Sequence, residues 1–188
     1  LETLDCSKCP DIVKHRTCIV CGKGPQNARV MLVGEAPGRY EDRVGAPFVG
    51  PAGKILDGLL KIAELPRDKI YITNAVKCRP VSETGGNRSP TVEEVQNCSP
   101  KLFDEIEKIR PKLIVTLGRV ALSAFKQTLY LSTWHGKVLS IEGIPARIIP
   151  LYHPASTIYN PDLLPVLQKD MEIVRLLSQP DVKEYFFS

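Results

Sequence analysis

The sequence predicts an α/β protein, a three-layer α/β/α sandwich around a central, mostly parallel sheet of about four strands. Three observations carry that expectation. Short, β-prone apolar runs alternate along the chain with longer stretches of helical apolar spacing. One of these runs, Lys112 to Gly118 (KLIVTLG), is almost continuously apolar, as a strand covered on both faces must be. The unusual polar and glycine-rich stretches follow strands, and in open α/β sheets ligands bind at that edge.

The chain has 188 residues, the size of a single domain (1–188) with a substantial core. Its net charge of +4 permits an anionic partner without demanding one. No apolar run approaches membrane-spanning length, and Leu1 to Asp5 lack the features of a signal peptide, so a cytoplasmic location is expected. Residues 5–25 show little periodicity and read as irregular structure held by whatever their cysteines bind. Those are Cys6, Cys9, Cys18 and Cys21, with Cys78 and Cys98 further on. Two Cys-x-x-Cys pairs without a secretory signal point to a metal or redox site before a disulfide framework.

A first strand over 28–33 leads into the loop 34–53 (GEAPGRYEDRVGAPFVGPAG), with five glycines and three prolines, far more than a simple connection needs. Glycines let backbone amides approach a ligand closely, and Glu35, Glu41, Asp42 and Phe48 bring charge and an aromatic ring. A helix over about 52–64 follows, and Pro66 breaks the chain. A second strand, 69–77, carries Asn74 at or near its end, as a turn-former or a ligand group. The Gly-rich polar stretch 82–89 reads as exposed. Thr91 with Glu94 three residues on forms a capping box for a helix that contains Cys98 and runs to about Ile109. Strand 112–118, helix 119–125, strands 137–142 and 144–151, and a helix over 162–177 complete the pattern. The tail Tyr185 to Ser188 reads as mobile.

Several motifs stand together in order: GEAPG at 34–38, Glu41-Asp42, GAPFVGPAGK at 45–54, YITNAVKCRP at 71–80, NRSP at 87–90 and YHPA at 152–155. With the first Cys-x-x-Cys, Cys98 and LIVTLGRVAL, they resemble the family 4, iron–sulfur uracil-DNA glycosylases over nearly the whole chain. The resemblance implies removal of uracil from DNA in base excision repair, with uracil-containing DNA as partner, free uracil as product and a monomeric enzyme. A sliding clamp is a further candidate partner. It also implies a 4Fe–4S cluster held by Cys6, Cys9, Cys78 and Cys98. Cys18 and Cys21 depart from the family pattern. They leave open a zinc site of Cys6, Cys9, Cys18 and Cys21, a replaced cluster ligand, or a disulfide.

Excision of a base requires the nucleotide to be flipped into a pocket and the sugar–base bond broken through an oxocarbenium-like state. Phe48 is the stacking candidate, with a core phenylalanine as the plain alternative. Asn74 offers the donor and acceptor that match the uracil edge. Gly34 and Ala36 join them as substrate-binding candidates, as does Asn87. By resemblance, His153 stabilises the negative charge on the leaving base. Related glycosylases place a water-positioning carboxylate where this chain has Ala36, so Glu35 and Glu41 are the catalytic acid candidates, with backbone carbonyls as the alternative holders of the water. Glu41 could alternatively fill the space of a thymine methyl and bond Asn87. The loop 153–160 resembles a minor-groove wedge, with Ile158 favoured at its tip over Thr157 or Tyr159. Arg79, Arg88, Lys54 and Lys137 are candidates for phosphate contacts. His15 and His135 read as structural. Other readings are a glycosylase for a different deaminated base and a non-turnover DNA-binding protein. The loop 81–89 has no histidine, and such a histidine marks the superfamily branch that traps uracil-DNA covalently.

Overall fold

The computed structural model describes residues 6–179. The sequence readings of Leu1 to Asp5 and of the tail 185–188 lie outside them. Four strands form one sheet: β1 (Val30–Gly34), β2 (Tyr71–Asn74), β3 (Leu113–Leu117) and β4 (Arg147–Leu151). Their order is β2-β1-β3-β4 and every pairing is parallel. The expected parallel α/β/α sandwich is therefore present.

Alternation along the strands explains why both faces need cover. Val30 and Leu32 point to one face, where they pack with Leu56 and Leu59 of α3 (Pro51–Ile62) and Leu167 and Met171 of α8 (Leu163–Ser178). Met31 and Val33 point to the other, against Leu102 and Ile106 of α4 (Val92–Ile109) and Ala121 and Leu122 of α5 (Arg119–Ser123). The Thr91 capping box forms as expected: the Glu94 N–H donates to Thr91 Oγ1 at 3.1 Å, and the Thr91 N–H donates to Glu94 Oε2 at 2.7 Å. A third, smaller cluster joins Ile12, Val76, Cys78, Val95, Cys98 and Val120. Among the described residues no helix is long and apolar enough to cross a membrane.

The expected strand 137–142 is absent. Leu139 makes one isolated antiparallel bridge to Ile148. The next pairing along β4 meets Pro150, which has no N–H to give, so the ladder cannot extend. The expected strand 144–151 shortens to Arg147–Leu151, and 69–77 shortens to Tyr71–Asn74. Four short helices were not anticipated: α1 (Pro10–His15), α2 (Arg39–Val44), α6 (Leu131–Trp134) and α7 (Ser156–Tyr159). The N-terminal segment is more ordered than irregular structure. Lys23 bridges Ile72 in antiparallel fashion, and the Val20 N–H donates to Lys77 O at 2.7 Å, which covers the edge of β2.

Candidate active site

The carboxyl ends of the sheet meet at one cavity of about 540 Å³, lined by Glu35, Phe48, Asn74 and His153 among others. Gly34 ends β1 directly beside Asn74, which ends β2. His153 lies two residues beyond β4. The chain order also reverses between β1 and β3, so the cavity sits at a topological switch point.

Close packing sets the floor. A Cβ on Gly34 would lie 2.6 Å from Phe48 Cε2 and Cζ and closer still to Asn74 Oδ1. Only glycine lets the amide and the ring meet over β1. Phe48 is buried and has φ of 54°, a left-handed conformation that is uncommon for a phenylalanine. Arg67 holds that backbone: its Nη2 donates to Phe48 O at 2.8 Å and to Gly53 O at 3.2 Å, while its Nε pairs with Asp57. Arg67 was not singled out by sequence reasoning, since nothing local marks an arginine 19 residues away as the brace of a ring. Phe48 and His153 stack with ring centroids 6.0 Å apart.

Asn74 is 2 % exposed, and among the described residues no hydrogen bond occupies its side-chain amide. The His153 ring is partly buried. The Ala155 N–H donates to His153 Nδ1 at 3.2 Å, which assigns the ring proton to Nε2. Burial pushes the imidazole pKa down to about 4, with the Glu41 charge acting weakly the other way. At neutral pH this ring is therefore an uncharged N–H donor.

Glu41 also lies on the cavity wall. It is buried in α2, and its oxygens accept from the backbone N–H groups of Gly38 (3.1 Å), Val49 (3.0 Å) and Gly50 (2.7 Å). This carboxylate closes the loop 34–53 on itself and forms part of the cavity wall. Asp42, one residue on, accepts from the Thr17 N–H at 2.9 Å and so ties the same loop to the cysteine-rich segment. Glu35 remains on the wall with its carboxyl pKa raised, chiefly by burial, against the opposing influence of Ser89 and the Arg119 charge. Ala36 also lines the cavity. Asn87 is on the rim, where its Oδ1 accepts from Arg79 Nε at 2.7 Å; the suggested bond from Asn87 to Glu41 does not form.

The phosphate-contact candidates separate. Arg79 is buried and committed to Asn87 and Gly85 O. Arg88 forms a two-pronged pair with Glu94 at 2.7 and 2.6 Å. Both guanidiniums brace the loop 79–90, and both also line the base cavity. Lys54 and Lys137 are exposed, and Lys137 Nζ sits 5.8 Å from the Trp134 ring centroid. On α7, which follows the cavity-lining Ala155, Ile158 is 56 % and Tyr159 88 % exposed, while Thr157 Oγ1 turns back to Pro154 O.

Behind the site, Cys6, Cys9, Cys78 and Cys98 line one small cavity of about 20 Å³ with Ile12, Val76 and Arg16. Arg16 Nη1 donates to the sulfurs of Cys6 and Cys78, each at 3.2 Å, and the Lys77 N–H donates to Cys98 Sγ at 3.3 Å. Burial raises the thiol pKa of Cys98 to about 11 and raises those of Cys9 and Cys78. Among the described residues no three Cys, His, Asp or Glu side chains converge tightly enough for a single metal ion. Four thiols line one largely apolar hollow with N–H donors aimed at three of the sulfurs, a donor set of the kind that holds an iron–sulfur cluster. All six cysteines are free thiols. Cys18 and Cys21 do not line the hollow, and Cys18 Sγ donates to Asp42 O at 3.0 Å. Cys18 and Cys21 thus stand apart from the four cysteines of the hollow.

Comparison with known proteins agrees with this geometry. The family model described as the uracil DNA glycosylase superfamily matches residues 21–176. A type-4 uracil-DNA glycosylase of Archaeoglobus fulgidus is 41 % identical, with 98 % of this chain and 95 % of the relative covered. Type-4 uracil-DNA glycosylases of Saccharolobus solfataricus and Sulfurisphaera tokodaii are 42 % and 40 % identical; the first covers 98 % of this chain and 88 % of the relative, the second 94 % and 82 %. The chain belongs to the uracil DNA glycosylase superfamily and, within it, to the type-4 uracil-DNA glycosylases.

Proposed function

We propose that the protein hydrolyses the N-glycosidic bond of uracil in DNA, releasing uracil and leaving an abasic site, as the first step of base excision repair. The observation that carries this reading is the convergence of Phe48, Asn74 and an uncharged His153 on one cavity at the switch point of the sheet. A flipped base stacks on Phe48, a contact worth roughly 1–3 kcal/mol. The Asn74 amide donates to uracil O4 and accepts from N3–H, and the reversed pattern of cytosine leaves both amide groups unpaired. As the C1′–N bond stretches, negative charge grows on the base and positive charge on the sugar. The His153 Nε2–H donor meets the developing charge at uracil O2 without first giving up a proton, and such a donor in a dry site is worth roughly 3–4 kcal/mol.

A water then adds to the sugar carbon. Glu41 is held by three backbone amides, so Glu35, whose carboxyl meets Ser89, is the wall acid that orients that water and accepts its proton. Exposed Ile158 enters the duplex as the wedge, with exposed Lys54, two residues after the cavity-lining Ala52, as a phosphate contact. Cys6, Cys9, Cys78 and Cys98 hold a 4Fe–4S cluster, a covalent cross-link between the N-terminal segment, the turn after β2 and α4. Its role is structural, because none of its ligands lines the base pocket. The test is release of free uracil, over many turnovers, from single- and double-stranded uracil-containing DNA. Release supports the reading. A covalent adduct, binding without release, or excision of a different deaminated base in place of uracil would replace it.

A further inference from the structure

Lys77 is fully buried, its side chain 0 % exposed. Its Nζ donates to three acceptors, each at 2.6 Å: Thr73 Oγ1, the backbone carbonyl of Asn74 and Glu105 Oε2. An ammonium has three donors, so all are used, and none reaches the base cavity. The network closes on itself. Thr73 Oγ1 donates to Glu105 Oε2 at 2.7 Å, and Glu105 Oε1 accepts from the Gly22 N–H at 3.0 Å.

A buried ion pair is weak as a stabiliser, since well-packed apolar residues commonly do as well. What this one does that an apolar pair could not is grip a particular carbonyl. Asn74 is the last residue of β2, where the chain leaves the sheet, and Lys77 curls back three residues later to close that turn with its side chain in place of a backbone bond. Glu105 fixes the lysine from α4. It lies seven residues, two turns, after Cys98, on the same face of that helix.

We propose that Lys77, Glu105 and Thr73 form the positioning network of the base-reading amide, clamping the Asn74 backbone so that its side chain is held in register with the uracil edge. The proposal rests on the glycosylase reading above and deepens it: these three are specificity-positioning residues that touch no substrate. Displacing a positioned group by about 1 Å costs roughly a hundredfold in rate, and the network is what prevents that displacement.

The experiment compares wild type with the double variant Lys77→Met/Glu105→Leu, which removes both charges and keeps the volume, and with Thr73→Val, which deletes only the hydroxyl. Thermal midpoint, iron content, and kcat and KM for uracil release from single-stranded DNA are measured for each. The double variant is expected to fold and to keep its iron. Its KM should stay within about threefold, because the DNA-facing surface is unchanged, while kcat falls roughly a hundredfold. Thr73→Val is expected to lose about tenfold in kcat with the same KM, and it alone decides the matter if the double variant does not fold. A folded variant with wild-type kcat, or a loss of kcat that only tracks lost iron, overturns the proposal. Wild type that releases no uracil would instead overturn the glycosylase reading, so the two failures are distinguishable.

Discussion

Gly34→Ala tests the pocket floor with one methyl group. The added Cβ would stand 2.6 Å from two atoms of the Phe48 ring and closer to Asn74 Oδ1, where ordinary contact begins at 3.4 Å. The ring must therefore retreat by about 0.8 Å and the amide by more. Neither has easy room: Phe48 is fixed through its carbonyl by Arg67, and the Asn74 backbone is fixed by Lys77. Overpacking of this kind costs about 1–3 kcal/mol, which in a chain of this size lowers the thermal midpoint by about 2–12 °C. The catalytic cost is larger, because both groups that read the base move at once; single-turnover uracil release should slow by roughly a hundredfold. The assay uses single-stranded uracil DNA with enzyme in excess, well below the variant's own midpoint, so that unfolding does not contribute. Uracil release within about threefold of wild type, with the midpoint lowered as expected, would refute the claim that Gly34 keeps Phe48 and Asn74 in contact with the base.

Replacing His153 by alanine should slow uracil release by roughly 10²–10³-fold while leaving DNA affinity nearly unchanged, measured by single-turnover kinetics and binding. The same residue makes a pH prediction. Its imidazole is held at about 4 against an ordinary 6.5, so the unfolded chain takes up the proton first, and stability is lost as pH falls from 6.5 toward 4. Thermal midpoints across that range should fall less steeply for His153→Ala than for wild type. Glu35 is raised from its ordinary value by burial, so if it handles the water the acid limb of the kcat profile lies above the normal glutamate range, and Glu35→Gln should remove that limb. For the cysteines, iron analysis should find the cluster lost in Cys78→Ala and Cys98→Ala and kept in Cys18→Ala and Cys21→Ala.

Much of the site is legible in the sequence because its key residues sit in unusual local company. Asn74 follows a β-branched run that has no need of it, Phe48 stands among glycines and prolines, and His153 falls two residues after a strand. Each is marked by its neighbours. The scaffold is not marked in this way. Glu41 reads as an acid in a functional loop, and only the fold reveals three backbone amides waiting for it. Arg67, Asp42 and Lys77 act across sequence gaps of 19, 25 and 28 residues, so no window of local pattern contains both partners. The helices α6 and α7 are each a single turn, too short for a period to declare itself. The missing strand at 137–142 has a different cause: its own residues are strand-like, and the obstacle is Pro150 on the neighbour. Among the arginines, charge suggests phosphate contacts for Arg79 and Arg88, while their pairing with Asn87 and Glu94 shows only in the fold.

The most direct measurement is uracil release from single-stranded uracil DNA by wild type and by Asn74→Asp. The substitution keeps the shape of the amide but replaces its donor by an acceptor, opposing uracil O4 at a cost of about 2–3 kcal/mol. The account predicts repeated turnover by wild type and a loss of roughly a hundredfold or more in the variant, both folded and both carrying iron. Wild type that binds DNA without releasing uracil, or an Asn74→Asp variant as fast as wild type, would contradict it.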